Sequence, residues 1–106
     1  MSASSKRWLG LIHLLPCVVC LNCYGRRVPA EEAHHIEFVR GEHSDFATVP
    51  ACKSCHDELH HLRRRAFYRA HKLDDVKLLA WTAREVEHLL WATGQDIAKL
   101  RVRELV

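Results

Sequence analysis

Two Cys-x-x-Cys pairs, Cys17-x-x-Cys20 and Cys52-x-x-Cys55, constrain this chain more than any other feature of its sequence. A structural zinc ion takes four ligands in a tetrahedron, and thiolates from two such pairs fill all four positions. The chain has five cysteines, so they cannot all pair with one another as disulfides. The spacing therefore predicts one closed structural Zn²⁺ site. Cys23 is left over, and we expect it to be a small buried or free thiol.

The length and composition favour one small globular domain over residues 1–106. Of the 106 residues, 48% are hydrophobic and 27% are charged, and a core of this size gains from a structural metal. Reduced thiols imply a reducing compartment, so we expect a cytoplasmic protein. The apolar stretch at 8–15 is too short to span a bilayer, and its spacing favours an amphipathic helix over a targeting signal. No membrane partner is expected.

The pattern of apolar, capping and turn residues predicts an α+β fold with its core at about 16–72 and C-terminal helices at about 74–94. The segment 96–106 is ambiguous between a helix and a strand. In chain order we expect an N-terminal helix capped by Ser5, a metal knuckle at 16–25, and strands at 33–39 and 46–49. A helix should follow from Ser54 or Cys55, and then a short helix at 74–80 capped by Asp74. The last predicted helix, at 82–94, begins with a Thr82-x-x-Glu85 capping box and stops at Gly94.

Histidines supply a second set of candidate metal ligands. His56 and His60 are spaced i, i+4, so a single helix would present both imidazoles on one face. A third ligand has to come from another segment, and the pair His34-His35 is the nearest donor. His43, in the intervening loop, is the alternative to His34. Three protein ligands with one open position are typical of catalytic metal sites.

These residues resemble the HNH endonucleases, also called the ββα-metal or His-Me finger family. The family pattern is an acidic residue or histidine followed by a histidine on a strand, then an asparagine, then a helix that carries the last histidine. In many members, Cys-x-x-Cys knuckles brace this motif, and Cys52-x-x-Cys55-His56 fits that arrangement. The stretch 44–52 and the later Trp81-Thr82 look like small phage and prophage HNH proteins linked to recombination. The resemblance covers about 16–94.

The resemblance implies a zinc-braced, treble-clef-like ββα-metal core with flanking N- and C-terminal helices. It implies a metal-dependent endonuclease, a hydrolase that cleaves DNA phosphodiester bonds. His35 matches the general base, and His34, His56 and His60 match the ligands of a divalent catalytic metal. Three imidazoles favour Mn²⁺, Ni²⁺ or Zn²⁺ over Mg²⁺.

One position departs from the family pattern. Ala47 stands nine residues before His56, where the family places the asparagine that fixes the loop holding the base. Asp45 and Thr48 are the polar neighbours able to substitute. A second hypothesis is therefore a catalytically inactive zinc module that binds nucleic acid. A third hypothesis is c-type haem attachment through Cys52-x-x-Cys55-His56. It requires an oxidising compartment and leaves the first cysteine pair unused, so it is disfavoured.

A basic cluster follows the second histidine pair. By itself such a run is typical of a solvated helix face, but beside a metal site we expect it to bind DNA phosphates without reading bases. A homodimer is compatible with cleavage of both strands. The sequence leaves open the form of the DNA, its base sequence and RNA as an alternative substrate. The basic cluster consists of Arg63, Arg64, Arg65, Arg69 and Lys72.

Overall fold

The computed structural model describes residues 2–37 and 41–93. Within these residues the chain forms five helices and one two-stranded antiparallel sheet, so the predicted α+β class is confirmed. The elements in order are α1 (Ala3–His13), α2 (Val18–Tyr24), β1 (Glu32–His35), β2 (Thr48–Ala51), α3 (Lys53–Leu59), α4 (His61–His71) and α5 (Asp75–Ala92).

The sheet lies at the centre of the fold, and α1, α3 and α5 all contact it. His34 of β1 pairs with Val49 of β2, and His35 pairs with Thr48. The first strand is shorter than predicted because it ends at His35, and 38–39 lie outside the described residues. The second strand starts later than predicted and continues through Pro50. Proline is tolerated there because both strands of a two-stranded sheet are edge strands.

Two clusters of buried side chains pack around the sheet. The larger one surrounds the knuckle cysteines and includes Val49, Leu59 and Leu78. The smaller one joins α1 to α5 through Ile12 and Val86, among others. The N-terminal helix therefore packs against the C-terminal helix and the sheet edge, so both ends of the described chain support the central strands.

One local prediction near the N-terminus needs correction, and another gains detail. The N-terminal helix is confirmed, but its cap is Ser2 rather than Ser5, since the Ser5 N–H donates to Ser2 Oγ at 3.0 Å. The knuckle at 16–25 is helical from Val18 onward. Gly25 ends this helix with φ 66°, a left-handed conformation that glycine adopts without steric penalty.

The central helix differs from the prediction at both its start and its middle. Cys52, not Ser54 or Cys55, is the N-cap of α3, and its Sγ accepts a hydrogen bond from the Cys55 N–H. The predicted single helix is broken at His60, which has extended backbone angles (φ −82°, ψ 134°). His60 therefore ends α3 and also caps α4.

This break changes which face of α4 is buried. The helical spacing of Leu59, Leu62, Ala66 and Ala70 predicts one apolar stripe. However, Ala66 and Ala70 are exposed, while Phe67 and Tyr68 are partly buried. The side chain of Leu62, also in the predicted stripe, lies outside the described part of the chain. The stripe fails because the extended residue at the break rotates the second helix relative to the first.

The two predicted C-terminal helices are one helix, α5. Its cap at Asp74 is confirmed, because Asp74 Oδ1 accepts from the Lys77 N–H at 2.7 Å. Thr82 is not a cap: it is buried within the helix and its hydroxyl donates to the Leu78 carbonyl at 2.9 Å. Gly94 and 96–106 lie outside the described residues. No helix in the described part combines the length and apolarity needed to cross a membrane.

The buried core makes a direct prediction. Leu78→Ala is expected to lower the free energy of unfolding by about 2–5 kcal/mol, because it leaves a cavity at a fully buried position. Leu14→Ala is the matched control, since Leu14 is 70% exposed and its loss should cost less than about 0.5 kcal/mol. Urea unfolding followed by circular dichroism measures both, and equal losses would contradict the described core.

Candidate metal centres

The four knuckle cysteines meet in one cluster. The sulfurs of Cys17, Cys20, Cys52 and Cys55 all lie within 4.8 Å of one another, and Cys20 Sγ is 3.8 Å from Cys52 Sγ and 3.7 Å from Cys55 Sγ. A tetrahedral site with Zn–S bonds of about 2.3 Å places its sulfurs about 3.8 Å apart. All five cysteines of the chain are free thiols. The cluster could therefore hold a metal such as zinc, and the prediction from cysteine spacing is confirmed to that extent.

Local structure explains how each knuckle presents two sulfurs. Cys17 and Cys52 are the N-caps of α2 and α3. The second cysteine of each pair lies three residues later, within the first helical turn, so the two side chains share a face. The Cys17 N–H also donates to the Val28 carbonyl at 2.7 Å, which ties the knuckle to the extended segment after α2.

The four thiols interact strongly because they are close and largely buried. A hydrogen bond from Cys55 lowers the pKa of Cys17 to about 5. Burial and the negative charge on Cys17 raise the pKa of Cys20 to about 12. The hydrogen bond to Cys17, together with burial, likewise raises the pKa of Cys55 above its ordinary value. Four thiolates at these distances need a cation between them to offset their mutual repulsion.

Cys23 is partly buried beside the cluster but does not belong to it. Burial raises the pKa of its thiol. This placement agrees with the sequence prediction of a leftover small thiol, and it supplies a control for metal binding.

We expect Cys55→Ser to lose most of the bound zinc and to unfold at a lower temperature, because one of four ligands is removed from a closed site. Cys23→Ser should keep about one zinc per chain. Elemental analysis of purified proteins and thermal unfolding would measure the two effects. Full zinc content in Cys55→Ser would contradict a four-sulfur site.

Three of the predicted histidines form a second cluster. The candidate ligand nitrogens of His34, His56 and His60 lie within 4.8 Å of one another, and the two Nε2 atoms of His56 and His60 are 3.1 Å apart. The His34 ring centroid is 5.3 Å from that of His56 and 5.6 Å from that of His60. Strand β1 supplies the first ring, and α3 with the break after it supplies the others. The i, i+4 spacing predicted that one continuous helix carries both His56 and His60. Instead, His56 lies in α3 and His60 lies at the break after it.

The His34 ring fits a metal ligand for a specific reason. His34 is 6% exposed, and its Nε2 is buried without a hydrogen-bond partner among the described residues. An unsatisfied buried nitrogen is costly, and few occur in native structures. Two other imidazole nitrogens lie in the same cluster, so an ion bound between the three rings would satisfy this nitrogen and use the other two.

The electrostatics of the cluster favour neutral rings. Burial, followed by the positive charges of His56, His60 and Arg64, lowers the pKa of His34 to about 4. Burial and His60 also lower the pKa of His56. A neutral imidazole is the form that binds a metal ion. The cluster is therefore ready to accept a cation near neutral pH without first losing protons from His34.

His35 and His43 lie outside this cluster. His35, the last residue of β1, contacts Asp45, with 2.9 Å between Nε2 and Oδ1. His43 pairs with Glu37 at 3.0 Å, and its ring centroid is 6.0 Å from that of His35. The structure therefore groups His34, and not the alternative His43, with the helix histidines. His35 directly follows His34 in β1, and its charge is the smallest of the contributions that lower the pKa of His34 and of His56.

The basic cluster lies along α4, directly after the third candidate ligand. All five side chains are exposed, and Lys72 is the C-cap of the helix. Arg63 forms an ion pair with Glu58 at 3.3 Å. Arg64 is within electrostatic reach of His34, since its charge is among the contributions that lower the pKa of that ring. The members are Arg63, Arg64, Arg65, Arg69 and Lys72.

No model of a known family, no curated protein and no solved structure matches this chain. The function proposed below therefore depends on the geometry of the two clusters and on the motif resemblance described above.

Sequence reasoning named Asp45 and Thr48 as polar substitutes for the missing asparagine but did not predict how they act. The Asp45 carboxylate contacts the His35 ring directly. The Thr48 hydroxyl donates a hydrogen bond to the Asp45 carbonyl at 2.9 Å. Trp8, from the N-terminal helix, donates to Thr48 Oγ1 at 3.1 Å. No local pattern indicated this last contact, because the two residues are far apart in the chain.

Removal of one imidazole ring should weaken metal binding at the histidine cluster. With the four-cysteine site kept loaded with zinc, His56→Ala is expected to bind Ni²⁺ at least about tenfold more weakly, because one of three ligands is lost. His13→Ala is the control, since His13 is exposed at the end of α1 and does not belong to the cluster. Isothermal titration calorimetry measures both affinities. Unchanged affinity in His56→Ala would show that Ni²⁺ binds elsewhere.

Proposed function

We propose that this protein is a metal-dependent endonuclease of the HNH type that hydrolyses phosphodiester bonds in DNA. The observation that carries the proposal is the buried Nε2 of His34, which has no hydrogen-bond partner among the described residues and lies in one cluster with His56 and His60. His35, the next residue of the strand, contacts the carboxylate of Asp45. The order β1, β2, α3 and the four-cysteine cluster that precedes His56 support the same interpretation.

The residues divide into ligands and a base. His34, His56 and His60 would hold a divalent ion, and their exposure rises from buried to exposed in that order, so the site opens toward solvent on the His60 side. When bound, such an ion would supply Lewis-acid stabilisation of the charge that develops on a phosphate. His35 is partly exposed and does not belong to the ligand group, so its ring can accept the proton of an attacking water molecule.

The basic cluster supplies the binding surface. Helix α4 begins immediately after His60, so its exposed arginines start beside the open side of the site. Contacts of this kind neutralise phosphates regardless of base sequence, and they weaken as salt concentration rises. The charge of Arg64 is among the contributions that lower the pKa of His34. Arg64 would contact a phosphate close to the cleaved bond.

One observation favours a second candidate function. Ala47, at the position where the family has asparagine, contributes only backbone hydrogen bonds: its N–H donates to Ser44 and its carbonyl accepts from Ile36. If Asp45 does not replace that asparagine in function, the protein would be a zinc module that binds nucleic acid without cleaving it. The two candidates differ in whether a second metal supports cleavage.

Plasmid nicking tests the nuclease directly. The wild-type protein should nick supercoiled DNA with Mn²⁺ or Ni²⁺ faster than with Mg²⁺, because imidazole ligands suit the former ions. His35→Ala should lower the rate by at least about 100-fold, the usual contribution of a general base. His88→Ala is the control, since His88 is exposed and contacts Glu85 on α5, away from the histidine cluster.

Each outcome has a distinct meaning. Equal nicking by wild type and His35→Ala would contradict the nuclease proposal. Tight zinc binding and DNA binding without cleavage by any of the three metals would support the zinc module. Faster cleavage with Mg²⁺ than with Mn²⁺ would contradict a three-histidine site. Parallel reactions with single-stranded DNA and RNA would identify the preferred substrate.

A further inference from the structure

The contact between His35 and Asp45 determines which ring nitrogen carries the hydrogen. His35 Nε2 lies 2.9 Å from Asp45 Oδ1, and the two side chains are 36% and 31% exposed. The hydrogen bond from His35 is the largest contribution that lowers the pKa of Asp45, so the carboxyl is ionised near neutral pH. An ionised carboxylate can only accept a hydrogen bond, so Nε2 has to be the donor.

The residue that holds Asp45 is also paired with His35 across the sheet. Thr48 is fully buried, lies opposite His35 in the strand register and donates its hydroxyl hydrogen to the Asp45 carbonyl at 2.9 Å. The Trp8 indole N–H donates to the same hydroxyl oxygen at 3.1 Å. Both partners of the His35–Asp45 contact are thus positioned relative to one buried side chain.

The rest of the turn is also tied to the end of β1. The Ile36 N–H donates to the Ala47 carbonyl at 2.8 Å, and the Phe46 N–H donates to Ser44 Oγ at 3.2 Å. The Phe46 ring packs near Trp8, with ring centroids 6.2 Å apart. These contacts hold the turn although Ala47 has no polar side chain to do so. The carboxylate of Asp45 therefore has a defined direction.

We propose that Asp45 is a positioning residue that keeps the hydrogen of His35 on Nε2, so that Nδ1 is the atom that accepts the proton from the attacking water. This inference rests on the proposed nuclease function for its chemistry but not for its geometry. In the step itself, water loses a proton to Nδ1 as its oxygen attacks phosphorus. The resulting imidazolium is stabilised by the carboxylate of Asp45. The bond from phosphorus to the leaving oxygen breaks, and that oxygen keeps the electron pair and takes a proton from solvent water, while the imidazolium later returns its proton to solvent.

Nitrogen NMR measures the tautomer without any cleavage assay. In zinc-loaded, full-length protein labelled with ¹⁵N-histidine, the His35 signals are those that disappear in His35→Gln. We expect shifts of a protonated Nε2 and an unprotonated Nδ1 in the wild type, and a mixture of tautomers in Asp45→Ala. A protonated Nδ1 in the wild type, or identical His35 shifts in the two proteins, would overturn the inference.

Kinetics provide the second readout. Asp45→Ala is expected to lower kcat by about 100-fold and to leave KM within about threefold, because the side chain orients the base and does not bind DNA. Asp45→Asn should recover part of kcat, since the amide oxygen still accepts from Nε2. Glu37→Ala is the matched control: Glu37 holds Gly41 and His43 of the same loop but not His35.

Equal kcat values for Asp45→Ala and Glu37→Ala would overturn the positioning role. Zinc content and circular dichroism identify a variant that has lost its fold, in which case the near-isosteric Asp45→Asn decides. If the wild type cleaves no substrate, the proposed function fails, but the NMR result still decides the tautomer.

Discussion

The convergence of four sulfurs is the interaction on which the rest of the structure depends. Cys17 and Cys20 come from the first knuckle, and the other pair opens α3, so the cluster joins segments that are distant in the chain. His56 directly follows Cys55. The position of His56 in the histidine cluster is therefore tied to the cysteine cluster. A chain of this length has little core to hold these segments together by packing alone, which is why a cation at this point would contribute to folding as well as to local order.

The break at His60 connects the candidate metal site to the candidate binding surface. An unbroken helix would carry α4 onward along the axis of α3. The extended backbone at His60 instead ends one helix and begins the next, while its ring remains next to that of His56. The arginines of α4 therefore begin one turn from the candidate ligands. The geometry brings the candidate metal ligands and these positive charges into one region.

Adjacent residues of β1 have different surroundings because side chains alternate along a strand. His34 faces the buried cluster, whereas His35 contacts Asp45 and is partly exposed. Under the proposed function both rings would act on one centre, which the end of the strand at His35 makes compatible with this alternation. Thr48, opposite His35, links this strand end to the turn that carries Asp45 and to Trp8 in α1.

The sequence by itself determined the features that depend on short, regular spacing. The Cys-x-x-Cys pairs predicted the four-sulfur cluster, and Asp74 predicted the start of α5, because a knuckle and a helix cap are formed within a few residues. Only the tertiary structure decided where the central helix breaks, why Thr82 lies inside a helix, and how Asp45 meets His35. These features depend on packing and on contacts across the sheet, and such contacts follow no period along the chain.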